Sequence, residues 1–163
     1  MAINSTSDSI DICQEFLSQP IPQRLNTLQN MGLERYHQLL CHLTFTEANY
    51  QCLRRFLIHP HQVKFPQLQG ADLRGLNLQK MNLVRAKFNQ AQLQGCCLRS
   101  ADLIFGDFTG ADLSNADLRG STLNESQWHN AVVTRCDLRS TVGLTPQQQQ
   151  LLRQQGAILD SFD

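Results

Sequence analysis

The chain has 163 residues, in which 14 Lys or Arg balance 14 Asp or Glu, so its formal net charge at pH 7 is zero. This length fits one ordinary domain or two small ones, and the neutral balance argues against a nucleic-acid binder, an anionic-membrane binder or an acidic imitation of DNA. Because no apolar stretch is long enough to span a membrane and the opening "MAINSTSDSIDICQEF" lacks a secretory-signal pattern, we expect a cytoplasmic protein without a membrane span.

Residues 1–60 are predicted to form a small α-helical domain, because their apolar residues recur at spacings of three and four. Pro20 and Gly32 mark breaks between the predicted helices, and Thr44 or Thr46 is the expected cap of the last one. A bundle of this size buries little by itself. We therefore expect it to pack on the open end of the segment that follows.

Residues 61–140 consist of sixteen consecutive five-residue units without a gap. We number the positions of each unit 1 to 5: position 3 is always large and apolar, position 1 is usually small, and the others are mostly polar. A period of five fits neither a strand nor an amphipathic helix. It fits a short extended stretch that buries two residues and then turns a corner, so that successive corners close into a coil.

The number of units in a coil follows from the aromatic residues at position 3. If four units make one coil, residues 20 apart stack about one strand spacing from each other. Phe88, Phe108 and Trp128 then fall in one interior column, with Leu68 at its start. This alignment favours a four-sided coil.

The units "ADLRG", "ADLIF", "ADLSN" and "CDLRS" resemble the A-(D/N)-L-x-x motif of the pentapeptide-repeat family. The resemblance covers about half of the chain and implies a right-handed, four-sided β-helix of about four coils, with positions 1 and 3 inside. Some units depart from the motif, among them those in which Leu76 and Met81 stand where a small residue is usual. Both lie near the start of the coil, where irregular repeats are expected.

Residues 141–163 are predicted to form a C-terminal helical cap and tail. Thr145 is the expected N-cap, with Gln148 completing a capping box, and the helix would lay Leu151 and Leu152 over the last coil. The predicted fold is thus mixed: a β-helix solenoid of pentapeptide repeats, preceded by a small α-helical domain and followed by a capping helix.

No residue pattern points to catalysis, a cofactor or a metal. The "HPH" sequence around Pro60 offers two ligands, too few for a closed zinc site, and the Asp residues that recur at position 2 are interpreted as ordinary wall residues. We therefore predict that the protein is not an enzyme and needs no cofactor. The cysteines form no C-x-x-C pair and are expected to be free thiols in a reducing compartment: Cys13, Cys41, Cys52, Cys96, Cys97 and Cys136.

One side of the predicted wall carries apolar residues at outward positions. They are Val84, Ile104 and Phe105, together with Phe65. Apolar residues in such a cluster favour a covered surface. Either the N-terminal helices, a second copy of the chain or a separate partner is expected to cover them.

Another side carries a column of arginines at position 4, namely Arg99, Arg119 and Arg139. Asp117 and Asp137 stand two residues before the last two arginines and can neutralise them, whereas Cys97 occupies that place before Arg99. We therefore expect Arg99 to lack a carboxylate partner. The column is either ordinary wall or a docking site for an acidic patch on a partner protein.

These features favour a non-enzymatic interaction or scaffold module that presents flat β-helix faces to an unidentified protein partner, in a regulatory or assembly role. We expect a monomer or weak homodimer that binds no nucleic acid. The alternative is a modulator of DNA gyrase that imitates duplex DNA, as one branch of the family does. Residues 61–140 carry nine Lys or Arg against seven Asp or Glu, and this net charge of +2 disfavours the alternative.

Overall fold

The computed structural model describes residues 7–161 and places helices at both ends of a long segment of regular turns. The α-helices are α1 (Ser7–Ser18), α2 (Ile21–Asn30), α3 (His37–Leu40), α4 (Glu47–Leu57) and α5 (Pro146–Gln154). A 3₁₀ turn at Glu34–Tyr36 leads directly into α3, and another at Pro60–Gln62 follows α4.

Local residue chemistry sets the helix starts in the N-terminal segment. Pro20 is the N-cap of α2. Of the two threonines expected to cap α4, Thr46 does so, because its backbone is extended and its hydroxyl accepts a 3.1 Å hydrogen bond from the Asn49 N–H. The helices enclose an apolar core in which Phe16 and Phe56 are almost completely buried.

Parallel β-bridges connect each coil to the next at a fixed spacing. The bridge between Gln67 and Lys87 joins residues 20 apart, and the same spacing continues to the bridge between Thr122 and Val142. Each bridge involves a single residue, and a two-residue turn follows it. Four five-residue units therefore make one coil with four sides, and the wall is built from regular bridges instead of long strands.

The first five-residue unit, residues 61–65, lies outside this coil. Its first residues belong to the 3₁₀ turn, Val63 is only partly buried, and the first bridge is at Gln67. The coil therefore begins one unit later than the repeat pattern predicts, because the turn carries the chain from α4 onto the end of the coil. Position 3 is buried in each of the fifteen later units, from Leu68 to Leu138.

Two features shape the corners of the coil: a hydrogen bond from the backbone to a side chain, and a positive φ. At position 2 an Asp or Asn side chain accepts a hydrogen bond from the N–H two residues later, as Asp102 does from Ile104 at 3.3 Å and Asn82 from Val84 at 3.2 Å. At position 5 the backbone adopts a positive φ, which is 58° at Phe105. Glycine and asparagine occupy this region more readily than a bulky residue does. The recurrent Asp and Asn therefore have a structural role in the turns.

The interior aromatic column has the register that the sequence predicts. The rings of Phe88 and Phe108 stack with 5.0 Å between centroids, and those of Phe108 and Trp128 stack at 4.6 Å. The buried indole N–H of Trp128 donates to the Ser126 hydroxyl at 2.8 Å. The prediction of four units per coil is confirmed.

Side chains of α4 close the edge of the first coil. The buried Asn49 amide pairs as a peptide group would: Oδ1 accepts from the Asp72 N–H at 2.9 Å, and Nδ2 donates to the Asp72 carbonyl at 3.0 Å. Arg55 Nη1 donates to the Gln69 carbonyl at 2.9 Å. Backbone groups at the start of the coil are thereby hydrogen-bonded instead of forming an open strand edge.

The helix α5 lies at the other end of the coil. It begins with a capping box in which the Gln148 N–H donates to Thr145 Oγ1 and the Thr145 N–H donates to Gln148 Oε1. The Gln148 side chain also donates to the Ser126 carbonyl at 2.9 Å. Leu152 is buried, but Leu151 is 49% exposed, because consecutive helical residues cannot share one face.

After α5 the chain returns to the wall and adds backbone to its last edge. The Ile158 N–H donates to the Cys136 carbonyl at 2.8 Å, and the Leu138 N–H donates to the Ile158 carbonyl at 2.7 Å. The last bridge, between Asp137 and Ile158, spans 21 residues instead of 20. One end of the coil is thus closed mainly by side chains and the other mainly by backbone.

Candidate interaction surface

The predicted apolar residues lie on one side of the wall and along its adjoining corner. Val84 and Ile104 occupy position 4 of successive coils and are partly buried, whereas Phe65 and Phe105 are 39% and 44% exposed. Arg85 belongs to the same corner, with its guanidinium carbon 5.4 Å from the Phe65 ring centroid and 4.8 Å from that of Phe105. These distances are typical of cation–π contacts. We call these five residues the apolar patch.

The N-terminal helices leave much of the apolar patch open. Val84 and Phe65 border a hollow whose lining includes Arg35 and Tyr36, but Phe105 is not part of it. The helical segment therefore approaches the part of the patch nearest the start of the coil, while Phe105 in the next coil remains 44% exposed. Both phenylalanine rings remain partly exposed in the described residues, so coverage by a second copy of the chain or by a separate partner stays a prediction.

The arginine column lies on a different side, and two of its members pair within their own unit. Arg119 Nη2 lies 2.6 Å from Asp117 Oδ2, and Nε donates to Oδ1 of the same carboxylate at 2.9 Å. Arg139 pairs with Asp137 at the same two distances. Such two-point contacts fix the plane of the guanidinium.

The expectation that Arg99 lacks a carboxylate is wrong. Its Nε lies 3.9 Å from Asp117 Oδ2, in the next coil. Stacking at 20 residues places Asp117 directly beside Cys97, so a carboxylate from the neighbouring coil occupies the space that the arginine's own unit leaves without one. Arg119 makes the same contact with Asp137, at 3.6 Å.

Hydrogen bonding and charge in this column favour the ionised carboxylates. The hydrogen bonds from Arg119 lower the pKa of Asp117, and those from Arg139 lower the pKa of Asp137, although partial burial opposes both shifts. Asp160 lies at the end of the column, where its Oδ2 accepts from the Ser140 N–H at 2.6 Å. Arginines and carboxylates therefore alternate along this side.

Neither Cys97 nor the adjacent Cys96 has the surroundings of a nucleophile. Cys97 pairs with Asn77 on one side and Asp117 on the other, as the spacing predicts. Burial raises the pKa of the Cys96 thiol to about 12. All six cysteines are free, and the part of the chain that the structure describes holds no group of three or more His, Cys, Asp or Glu suited to a metal ion. Within residues 7–161, no helix combines the length and apolar character needed to cross a membrane.

Sequence reasoning missed Arg85 as a member of the apolar patch. Its position was nevertheless predictable, because Phe65, Arg85 and Phe105 are spaced by 20 and share position 5. A pattern of outward apolar residues alone omits the cation between the two rings. The structure brings these three side chains into contact.

The comparisons with known proteins identify the repeats. The family profile described as "Pentapeptide repeats" matches residues 67–103 and 107–141 in eight copies. These residues are therefore pentapeptide repeats, and proteins built from such repeats fold as right-handed quadrilateral β-helices. No curated protein sequence matches the chain significantly.

Several solved structures resemble the chain over part of its length. QnrB1, a plasmid-mediated fluoroquinolone resistance protein, is 21% identical over 58% of this chain and 60% of its own, with a TM-score of 0.30. The pentapeptide repeat protein alr5209 from Nostoc PCC 7120 is 25% identical over 65% of this chain and 94% of its own, with a TM-score of 0.23.

HetL, involved in heterocyst differentiation regulation in the cyanobacterium Nostoc sp. strain PCC 7120, is 22% identical over 56% of this chain, with a TM-score of 0.23. This chain covers 46% of HetL and 60% of QnrB1, less than two thirds of either protein.

Proposed function

We propose that this protein is a non-enzymatic interaction module that presents the sides of its β-helix to a partner protein, in a regulatory or assembly role. The observation that carries the proposal is the apolar patch, in which two phenylalanine rings are 39% and 44% exposed on a regular wall. A patch of this kind on a monomer is typical of an interaction site. Phenylalanine and arginine are both enriched at protein interfaces.

The rigidity of the wall supports this role. Four of the five residues of the apolar patch, all but Phe65, follow a residue that bridges a neighbouring coil: Asn82 bridges Asp102, and Asp102 bridges Thr122. A surface that is already ordered loses little conformational entropy when a partner docks. Val84, Ile104 and Phe105 are the proposed apolar contacts.

The arginine column is a second proposed contact, for acidic groups of the partner. Its three side chains remain 52%, 39% and 49% exposed in chain order, although each has a carboxylate nearby. Arg99 is the most available, because its nearest carboxylate oxygen is 3.9 Å away. Arg119 and Arg139 would extend the same contact with the N–H groups that their aspartates leave free.

The charge arrangement does not favour imitation of DNA. Duplex DNA presents continuous negative charge, whereas this column alternates arginines with Asp117 and Asp137. The six free thiols support a cytoplasmic, reducing environment for the protein. We further propose that it acts as a monomer or weak homodimer and uses no nucleic acid.

Affinity capture from the source organism's lysate, followed by quantitative mass spectrometry, tests this function with two matched variants. Phe105→Asn removes a ring of the patch, and Gln90→Asn makes the same kind of change at another corner, where φ is also positive. We expect a partner that wild type and Gln90→Asn retain and that Phe105→Asn loses. If no protein distinguishes the two variants, the proposal is wrong.

A further inference from the structure

A groove runs along the junction between the helical segment and the first coils. One hollow is lined by Arg35 and Tyr36 on the helical side and by Lys64 and Asn82 on the other. A second hollow adjoins it, since it shares Arg35 and Asn82, and extends to Lys80. We call these two hollows together the junction groove.

The junction groove gathers cations that have no carboxylate partner. Lys64, Lys80 and Arg35 are exposed, and none of them forms an ion pair with any residue that the structure describes. Glu34 is the single acidic residue among those lining the two hollows. Elsewhere on the wall, in contrast, Lys87 lies 3.6 Å from Asp107 and Arg74 2.8 Å from Asp72.

One of these cations is held in place before any ligand arrives. Arg35 Nη2 donates to the Val63 carbonyl at 2.6 Å, and its guanidinium carbon lies 4.7 Å from the centroid of the Tyr36 ring. A guanidinium has five N–H donors, so most of them remain for an incoming acceptor. Ordering this side chain in advance lowers the entropy lost on binding.

The junction groove continues directly into the apolar patch, because Val84 and Phe65 belong to both. The combined surface therefore offers cations at one end and apolar side chains at the other. We propose that it binds an acidic segment of the partner protein, whose carboxylates meet Arg35, Lys64 and Lys80 and whose apolar side chain packs on the patch. This inference rests on the proposed function and specifies the chemistry of the partner.

Charge complementarity and shape favour a protein segment over other polyanions. The groove is a recess between two parts of the protein, whereas a bilayer or a DNA duplex presents an extended surface. A duplex on this surface would also meet two carboxylates. Asp102 stands two residues before Ile104, and Glu125 stands at the position of Phe105 in the next coil. A flexible acidic chain can enter the recess and leave those carboxylates in solvent.

Selection from a random-peptide display library on the immobilised full chain tests the inference, with counter-selection on Lys64→Glu. We expect the enriched peptides to combine Asp or Glu with an apolar residue. Lys64→Glu and Lys80→Glu should each weaken binding of the best peptide about tenfold, and added salt should weaken it further. Arg135→Glu is the matched control: it reverses one exposed charge outside the groove, and binding should be unchanged.

Four outcomes would overturn the inference: no enrichment, enrichment of neutral or basic peptides, equal weakening by Arg135→Glu, or preferential binding to phosphatidylserine vesicles or duplex DNA. Failure here is distinguishable from failure of the proposed function. A partner whose binding depends on Phe105 but is insensitive to Lys64→Glu would support the proposed interaction module and contradict only the inference of an acidic segment.

Discussion

On the side of the arginine column every guanidinium has a carboxylate oxygen within 3.9 Å, whereas in the junction groove Lys64 and Lys80 have none among the residues described. Both regions border the same wall, but only Lys80 among the groove's cations lies on one of its five-residue turns. In the column, position 2 of one coil supplies Asp117 or Asp137 beside an arginine of the same coil or its neighbour. Beside the groove, position 2 holds Asn82 and Asp102, which stack on each other. Position 4 of the same units holds Val84 and Ile104 instead of arginines, so no comparable ion pair forms there.

This difference separates charges that the wall partly neutralises itself from charges that have no carboxylate within the described residues. The column uses its charges internally, since each carboxylate contacts two arginines across or within the coils. The groove leaves Lys64 and Lys80 without a carboxylate among the described residues, and the apolar patch leaves Phe65 and Phe105 partly exposed. Groups that the molecule does not use internally are the ones available to another molecule.

The largest expected effect concerns the core that both sides share. Phe108→Ala removes the middle ring of the aromatic column and should lower the free energy of unfolding by about 3–5 kcal/mol, through lost burial and a cavity. Urea denaturation followed by circular dichroism measures it. A loss below about 1 kcal/mol would mean that the stacked column does not support the coil.

The second-largest expected effect concerns the contact between α4 and the edge of the first coil. Asn49→Leu keeps the number and branching of the side-chain heavy atoms but leaves the Asp72 N–H and carbonyl without partners, and we expect a loss of about 1–3 kcal/mol. Gln51→Leu, at an exposed position of the same helix, is the control. Equal stability of the two variants in urea would show that the amide does not hold α4 to the first coil.

A smaller effect tests the internal use of charge in the arginine column. Asp117→Asn retains an oxygen for the turn, as Asn82 does in its own unit, but removes the charge between Arg99 and Arg119. Exposed pairs are weak, so at pH 7 we expect a loss of about 0–1 kcal/mol. Thermal denaturation of the two proteins in parallel measures the difference.

The pH dependence of the same variant has a defined sign. Because the pKa of Asp117 is lowered in the folded protein, its contribution is present above the unfolded value of about 3.9 and is lost as the pH falls through the folded pKa. Wild type should therefore lose more stability than Asp117→Asn as the pH is lowered through this range. Acid denaturation of both proteins measures this difference. An equal loss of stability with falling pH in wild type and Asp117→Asn would contradict the pairing.

The smallest expected effect is that of Phe105→Asn on stability. Asparagine suits the positive φ of this corner better than phenylalanine, but the substitution also removes the contact with Arg85. These contributions oppose each other, so we expect a change within about 1 kcal/mol. A larger loss of stability in thermal denaturation would show that the Phe105 ring stabilises the fold, and would contradict its proposed role as a contact for a partner.

The sequence predicts the coil well because its information is periodic. The 20-residue spacing of Phe88, Phe108 and Trp128 alone gives the register, and the same arithmetic would have found Arg85. The carboxylate near Arg99 was missed because only its own unit was considered, although the stacking of Cys97 on Asp117 followed from the same spacing.

The junction groove could not be predicted in this way. Its cations come from different kinds of backbone: Arg35 from a 3₁₀ turn, Lys64 from the connection before the coil and Lys80 from a corner. How the helical segment is seated depends on individual contacts such as those of Asn49, and these have no period. Residues that meet through non-repetitive packing leave no spacing signal in the sequence.

Site-specific photo-crosslinking tests the interaction module most directly. A benzoylphenylalanine replaces Phe105 in one version of the full chain and Gln90 in the other, and each is irradiated in the source organism's lysate. The account predicts one prominent crosslinked partner from position 105 that is absent from position 90. The same products from both positions, or none above background from position 105, would contradict it.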